Sequence, residues 1–162
     1  MTTKQSMNID PYEKNWIRLS IGLLIAFAIA VSVAGFAMGI QVPSPEQRVD
    51  PNTVAESGPW ANPGLRTIQE GKKYEAYVLA QTWQFLPREM TVPAGAEVTF
   101  YVTSKDVQHG FKLQNTNLNV QIVPGQVSKL TVTIDEPGRY DFICTEYCGL
   151  GHAAMFGTLI VE

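Results

Sequence analysis

The chain lacks a basic stripe, and its charged residues are few. Its 162 residues carry 12 lysines and arginines against 15 aspartates and glutamates, which gives a net charge of −3. Residues 1–40 account for +1 of this charge and residues 41–162 for −4. Without clustered positive charge, nucleic acid is excluded as a partner class. The sequence also has no internal repeat and no nucleotide-binding glycine motif, so neither a repeat architecture nor a nucleotide site is indicated.

Charge is missing altogether between Leu19 and Ile40. These 22 residues are nearly all apolar or small, and as a helix they span roughly 33 Å, about the thickness of a bilayer core. A cleaved signal peptide is the alternative, but its apolar region is normally only about 7–15 residues long. Residues 19–40 are therefore predicted to form a retained transmembrane helix.

The flanks of this segment predict its orientation. Lys4, Lys14 and Arg18 precede it, whereas the first basic residue after it is Arg48. Because positive flanks stay in the cytoplasm, residues 1–18 are expected to form a cytoplasmic segment and the rest of the chain an extracytoplasmic domain. We see no second apolar span, so the protein is predicted to cross the membrane once.

The extracytoplasmic part divides into a proline-rich stretch and an all-β pattern. Residues 41–73 contain five prolines and are predicted to form a linker and domain entrance without long regular elements. Residues 74–162 show short alternating segments separated by proline and glycine turns, which indicates a β-sandwich or barrel. The predicted strands are 74–82, 97–103, 118–123, 127–134, 139–144 and 157–161.

Cysteine and histidine are scarce, with two of each in the whole chain. Three of these four residues, Cys144, Cys148 and His152, nevertheless fall within nine residues, and Met155 follows in the same loop. His109 lies upstream, next to a predicted strand. Thiolate, imidazole and thioether are the soft and borderline ligands that copper prefers. The loop therefore predicts a metal centre and is the strongest indication of function in the sequence.

Two cysteines in the loop favour two metal ions rather than one. Two thiolates can bridge two copper ions, and His109 and His152 can each supply an imidazole. Met155 and the backbone carbonyl of Glu146 can supply the remaining weak ligands. If the two copper ions share one unpaired electron, the unit of two coppers and two thiolates has a net charge of about +1. Adding one electron lowers this charge to about 0. A compact core of low charge suits the relay of electrons.

Two simpler interpretations of the loop compete with copper. Two extracytoplasmic cysteines form a disulfide by default, and Cys144 and Cys148 could make one. That disulfide, however, leaves His109, His152 and Met155 without a role. Zinc takes Cys₂His₂ sets, but a methionine at this spacing has no function at zinc. Copper is the metal that accounts for the whole set.

The motif Cys-x-Glu-x-Cys-x₃-His-x₂-Met over residues 144–155, with its upstream histidine, resembles the binuclear CuA site of the cytochrome c oxidase subunit II family. Residues 83–85, 109–111 and 137–140 extend the similarity. The resemblance implies an all-β, cupredoxin-like Greek-key β-sandwich or barrel over residues 74–162, preceded by one N-terminal transmembrane helix. It also implies two copper ions with these ligands: His109, Cys144, Glu146 (through its carbonyl), Cys148, His152 and Met155.

Two aromatic residues belong to the same resemblance. Trp83 and Phe85 match the aromatic segment of the family at which electrons enter. An ordinary position in the core or at a sheet edge is the alternative for both residues.

The single helix and the short external domain resemble the B-family of heme-copper oxidases rather than the commoner two-helix form. This implies a subunit II in a prokaryotic plasma membrane, with oxygen reduction and proton pumping on subunit I. The expected partners are a heme-bearing subunit I, a small one-helix subunit in place of the missing helix, and cytochrome c or a small blue-copper protein as electron donor. Intact ligands speak against the quinol-oxidase relatives, which have lost the site.

Two other functions stay open on the sequence. One is a membrane-anchored copper chaperone, which would normally require a thioredoxin-like αβ pattern. The other is a stand-alone electron-transfer copper protein, or a relative of the CuA domain of nitrous oxide reductase, which would need a large additional catalytic domain. Co-purification with a heme subunit separates a resident subunit from a free carrier.

Overall fold

The computed structural model describes residues 10–39 and 45–162, and the chain divides into two compact units, residues 1–40 and 41–162. Helix α1 (Pro11–Ala37) belongs to the first unit. It begins eight residues before the predicted span, because the side chain of Asp10 accepts the N–H of Tyr12 at 2.8 Å and Pro11 starts the helix without losing a hydrogen bond. The sequence of α1 is long and apolar enough to cross a membrane.

The ends of the predicted membrane segment differ from the observed helix. Residues 11–18, which were assigned to the cytoplasmic segment, are helical, and the helix ends at Ala37. Ile40 and residues 1–9 lie outside the described residues. The large apolar side chains of α1, among them Leu24 and Phe27, are exposed, as expected for side chains that face lipid.

The second unit is built from two β-sheets. Its strands in chain order are β1 (Pro45–Arg48), β2 (Gly64–Gln69), β3 (Lys73–Gln81), β4 (Gln84–Leu86), β5 (Glu89–Val92), β6 (Glu97–Ser104), β7 (His109–Leu113), β8 (Asn119–Ile122), β9 (Gln126–Thr133), β10 (Gly138–Ile143) and β11 (Phe156–Val161). Sheet A has the order β1-β9-β6-β3-β2, with β4 also paired to β3, and sheet B has the order β5-β11-β10-β7-β8. Within this arrangement β3 and β6 run parallel, as do β5 and β11.

Six strands match the predicted ones to within one or two residues: β3, β6, β8, β9, β10 and β11. Strands β1, β2, β4 and β5 were not predicted, and β7 was expected only as a strand near His109 without stated bounds. Both β1 and β2 lie within residues 41–73, where the sequence predicted a linker; β1 pairs with β9 and β2 pairs with β3. The compact β unit therefore starts well before residue 74.

The core between the sheets is aromatic. Phe85, Phe100, Phe111 and Phe142 are fully buried and stand in mutual contact, with ring centroids 5.1–5.6 Å apart. The predicted alternation in β6 is confirmed for its inward side, since Val98, Phe100 and Val102 are all buried. Offset and edge-to-face ring pairs add to the free energy gained by removing apolar area from water. Such a core makes sheet B a rigid support.

The outer side of sheet A is covered by the proline-rich stretch. Trp60 is almost completely buried there with Val54, Leu79 and Val127. Its indole N–H donates to the carbonyl of Tyr101 at 3.3 Å. The residues of the predicted linker thus form a second, smaller apolar cluster, which explains why the linker behaves as part of the domain.

We expect Trp60→Ala to destabilise the domain by about 3 kcal/mol or more, because it removes a buried indole and leaves a cavity. Chemical denaturation of the domain beginning at residue 41 would measure the change in the free energy of unfolding. Ile68→Ala is the matched control: Ile68 lies in β2 and is 60% exposed, so its loss should cost much less. Equal effects of the two changes would contradict a structural role for the stretch.

Candidate metal centre

Pairing within sheet B brings the predicted ligands to one end of the domain. Strands β10 and β11 are antiparallel, and their last pair joins Ile143 to Phe156. Cys144 and Met155 are the next residues beyond this pair, and they lie side by side. The amide of Cys144 donates to the carbonyl of Met155 at 3.1 Å. Strand β7 pairs with the other side of β10 and begins at His109. The ligand loop, residues 144–155, therefore starts and ends at hydrogen-bonded strands.

The donor atoms of five predicted ligands lie close together. Ligand atoms of His109, Cys144 and Cys148 are all within 4.8 Å of one another. Nδ1 of His109 is 3.9 Å from Sγ of Cys144, and Nδ1 of His152 is 3.7 Å from Sγ of Cys148. Sδ of Met155 lies 3.7 Å from Sγ of Cys148. Each thiol thus has an imidazole nitrogen beside it.

The two cysteines are not bonded to each other. Their sulfur atoms are 3.8 Å apart and both thiols are free, whereas a disulfide needs about 2.05 Å. Burial, together with the neighbouring sulfur of Cys144, raises the pKa of the Cys148 thiol to about 11. This thiol therefore keeps its proton at neutral pH until a cation displaces it.

Backbone geometry supplies the sixth predicted donor. The carbonyl oxygen of Glu146 lies 3.2 Å from Sγ of Cys144 and points into the cluster. Gly110 on β7 makes this possible, since a Cβ atom there would collide with Oγ1 of Thr145 and would lie 2.9 Å from the amide nitrogen of Glu146. Only a glycine lets β7 approach the ligand loop so closely.

The cluster is shielded from water but reaches the surface at one side. His109 is fully buried, and Cys144, Cys148 and Met155 are at most 8% exposed. His152 is half-buried and contacts the exposed ring of Tyr147. One imidazole therefore lies inside the domain and the other near its surface.

Asp106 is a contributor to the site that sequence reasoning missed. One carboxylate oxygen accepts a hydrogen bond at 2.9 Å from Nε2 of His109, the ring nitrogen that points away from the cluster. Burial opposes the charge, but hydrogen bonds from His109, Thr82 and Val107 together lower the pKa of Asp106 to about 2. The spacing Asp-x-x-His was the available signal, because a carboxylate three residues before a ligand histidine can reach its ring.

The two aromatic residues of the predicted electron route lie in different surroundings. Trp83 is 45% exposed, and its indole N–H donates to the carbonyl of Cys148 at 3.0 Å. Its ring packs on Gly151, where a Cβ atom would lie 2.6 Å from it. Phe85 is fully buried in the aromatic core. Trp83 is therefore partly exposed at the surface, whereas Phe85 is a core residue, the position given above as its alternative.

Comparison with known proteins agrees with this geometry. Residues 78–162 match the family model of the cytochrome c oxidase subunit II periplasmic domain. The chain is 44% identical over 154 residues to cytochrome c oxidase subunit 2 of Thermus thermophilus, covering 93% of this chain and 92% of that one. The chain belongs to the cytochrome c oxidase subunit II family.

Solved structures support the same membership and the fold. A chain of a heme-copper terminal oxidase dimer, determined by cryo-EM, superposes with a TM-score of 0.77 at 34% identity, over 93% of this chain and 99% of that one. The periplasmic domain of subunit II (CoxB) of Bradyrhizobium japonicum superposes with a TM-score of 0.51 at 22% identity, over 54% of this chain and 83% of that one, and shows the fold. The predicted cupredoxin-like β-sandwich with one preceding helix is confirmed.

Family membership makes the chain a subunit of a membrane-anchored oxidoreductase of the heme-copper class, with subunit I as the implied partner. The donor set fits a soft metal, since it combines two thiols, two imidazoles and a thioether with no carboxylate in the cluster itself. Residues 45–162 contain strands and two single-turn 3₁₀ helices. The αβ pattern that a thioredoxin-like chaperone requires is thus missing from this described part.

We expect Gly110→Ala to disturb the metal centre, because the new methyl group would push Thr145 and Glu146 away from β7 and move the Glu146 carbonyl. Copper bound per chain, counted after loading and dialysis, should fall, and overpacking should destabilise the domain by about 1–3 kcal/mol. Gly138→Ala is the control on a neighbouring strand, since its Cβ would meet the ring of Tyr140 at an ordinary 3.5 Å. Unchanged copper content in the first variant would contradict the packing argument.

Proposed function

We propose that this chain is the electron-accepting subunit of a terminal heme-copper oxidase and that it holds a binuclear copper centre. The observation that carries the proposal is the pair of unbonded sulfur atoms 3.8 Å apart with an imidazole Nδ1 beside each. Neither a structural disulfide nor a single-metal site requires two separate thiols that each have an imidazole of their own. The family relationship supports the same conclusion.

The residues present would hold two copper ions in a simple way. Cys144 and Cys148 would bridge both ions, and His109 and His152 would each bind one of them. Met155 and the carbonyl of Glu146 would act as weak ligands, because thioether sulfur and peptide oxygen bind copper less strongly than thiolate or imidazole. This assignment is supported by the distances in the loop, since each of the other four donors lies within 3.9 Å of a cysteine sulfur.

When bound, the two ions would supply a site that takes up and gives back one electron at a time. The protein would limit how far the ligand residues move when an electron is gained or lost. Sheet B and its aromatic core hold the bases of β7, β10 and β11, and burial keeps water away from the thiolates. Because the six donors leave no ligand position for a substrate, the site suits a relay, and oxygen would be reduced on subunit I.

The wider setting of the subunit follows from the same proposal. The basic residues before the apolar segment favour a cytoplasmic N-terminus and an external domain in a prokaryotic plasma membrane. The single described span favours the B-family arrangement, in which a small one-helix subunit completes the complex. The electron donor would be cytochrome c or a small blue-copper protein outside the membrane.

Trp83 is our candidate for the point at which electrons enter. Its exposed ring is joined to the backbone of Cys148 by a hydrogen bond of 3.0 Å. Side chains with large exposed apolar area surround this part of the loop, among them Tyr147 and Leu150, which are 75% and 94% exposed. A donor that covers this surface would come close to a bridging sulfur through a single side chain. Phe85 would contribute by supporting the aromatic core behind this position.

Electron paramagnetic resonance of the full chain in detergent, with a copper count, tests the binuclear centre. We expect two coppers per chain and a seven-line hyperfine pattern, because one unpaired electron is shared by two copper nuclei. Cys148→Ser should abolish this pattern while the β-domain stays folded, since it removes one bridging ligand. A four-line pattern from one copper in the wild type would overturn the proposal. Purification with a heme-bearing subunit separates an oxidase subunit from a free carrier or chaperone.

We expect Trp83→Phe to slow reduction of the copper-loaded chain by cytochrome c by roughly an order of magnitude or more, because the indole N–H link to Cys148 is lost. Stopped-flow spectroscopy measures the rate, and the paramagnetic signal checks that the centre is intact. Tyr147→Phe is the control, since it keeps an exposed ring on the same surface. Equal rates in wild type and Trp83→Phe, with an intact centre, would exclude Trp83 as the route.

A further inference from the structure

We propose that Asp106 is a positioning residue that decides which nitrogen of His109 faces the metal and ties this ligand to the Trp83 segment. The proposal rests on the function given above, because it concerns a ligand of the proposed copper centre. It is carried by the hydrogen bonds of a single carboxylate, whose two oxygens face two different parts of the site.

The first oxygen acts on the ligand. Oδ1 of Asp106 is 2.9 Å from Nε2 of His109, and a carboxylate can only accept. Nε2 must therefore carry a proton, so whenever the ring is neutral its free lone pair lies on Nδ1. Nδ1 is the nitrogen that lies 3.9 Å from Sγ of Cys144. His109 is fully buried, so water does not compete for Nε2, and the carboxylate also makes the ring a stronger donor to a metal.

The second oxygen acts on the other side of the site. Oδ2 of Asp106 accepts from the amide N–H of Thr82 at 2.7 Å and from its hydroxyl at 2.9 Å. Thr82 precedes Trp83, whose indole donates to the carbonyl of Cys148. A continuous path of hydrogen bonds and one peptide link thus runs from His109 to the residue that carries the second thiol.

The second imidazole has different surroundings. The ring of His152 is half-buried beside the exposed ring of Tyr147, with centroids 5.8 Å apart. Within the described residues no carboxylate contacts this ring. The two histidines therefore differ in donor strength, and we expect His109 to be the stronger of the two.

A purely structural role is the competing explanation for Asp106. Its Oδ1 also accepts the amide N–H of Val107 at 2.6 Å, and Ser104 lies within 3.4 Å of the same oxygen, so the carboxylate helps to close the turn between β6 and β7. Ser104→Ala disturbs this turn without touching His109. It is the matched control for every measurement below.

The protonated nitrogen of His109 can be read directly by nitrogen-15 NMR of the metal-free full chain in detergent. The chain has only two histidines, so His152→Gln assigns the resonances and His152 itself serves as the internal reference. We expect the neutral ring of His109 to carry its proton on Nε2 only, in wild type and in Ser104→Ala. A proton on Nδ1 of His109 in the wild type would overturn the proposal without the need for any variant.

Asp106→Asn tests the effect on the metal. An asparagine side chain has a single accepting oxygen, and its NH₂ group only donates, so it cannot accept from His109 and from Thr82 on two separate atoms as the carboxylate does. We expect a fraction of the Nδ1-protonated ring in the metal-free variant and a loss of about 10- to 100-fold in copper affinity. In the loaded variant, the reduction potential should rise and the nitrogen coupling of His109 in electron–nuclear double resonance should fall relative to that of His152.

The outcomes separate this proposal from the proposed function. Wild-type chain without a binuclear copper signal would defeat the function, whereas the NMR result for His109 would still test the positioning. If the copper-loaded Asp106→Asn variant has the same reduction potential and the same His109 nitrogen coupling as the wild type, then Asp106 only closes a turn. Changes of the same size in Ser104→Ala would lead to the same conclusion, because they would trace the effect to the turn.

Discussion

The pairing of β10 with both β11 and β7 is the constraint on which the metal centre depends. It places the bases of the ligand loop and the start of β7 next to each other, so that two thiols, two imidazoles and a thioether share a few ångströms of space. Burial disfavours the thiolate form of Cys148, so this group ionises when a cation replaces its proton. The sandwich provides the rigidity that keeps them together, and the metal would provide the compensating charge.

Support for this end of the domain comes from both sides of sheet A. On the inner side, four phenylalanines lock the two sheets together. On the outer side, the stretch that carries Trp60 closes over the sheet, and β1 and β2 occupy its edges. The proline-rich segment is therefore a structural part of the domain and not merely a spacer between the domain and the helix.

The surroundings of the centre are as specific as its ligands. The Glu146 carbonyl can approach the sulfur of Cys144 only because Gly110 leaves room for the loop. Asp106 contacts both His109 and Thr82, and Trp83 spans from the surface to the backbone of Cys148. Groups outside the candidate ligand set thus contact the ligand residues directly.

Residue types at short spacing were enough to predict the candidate ligand residues, the apolar segment and the β character of the domain. The loop from Cys144 to Met155 and the alternation in β6 are patterns of this kind. Three features became visible in the folded chain alone: Phe85 is a core residue while Trp83 is half exposed, residues 45–69 supply two edge strands, and Asp106 contacts His109. These features depend on contacts between segments distant along the chain or on the path of a turn, and neither leaves a periodic pattern. The short edge strands β1 and β5 escaped prediction for the same reason: four residues paired to a neighbour look no different in sequence from a loop.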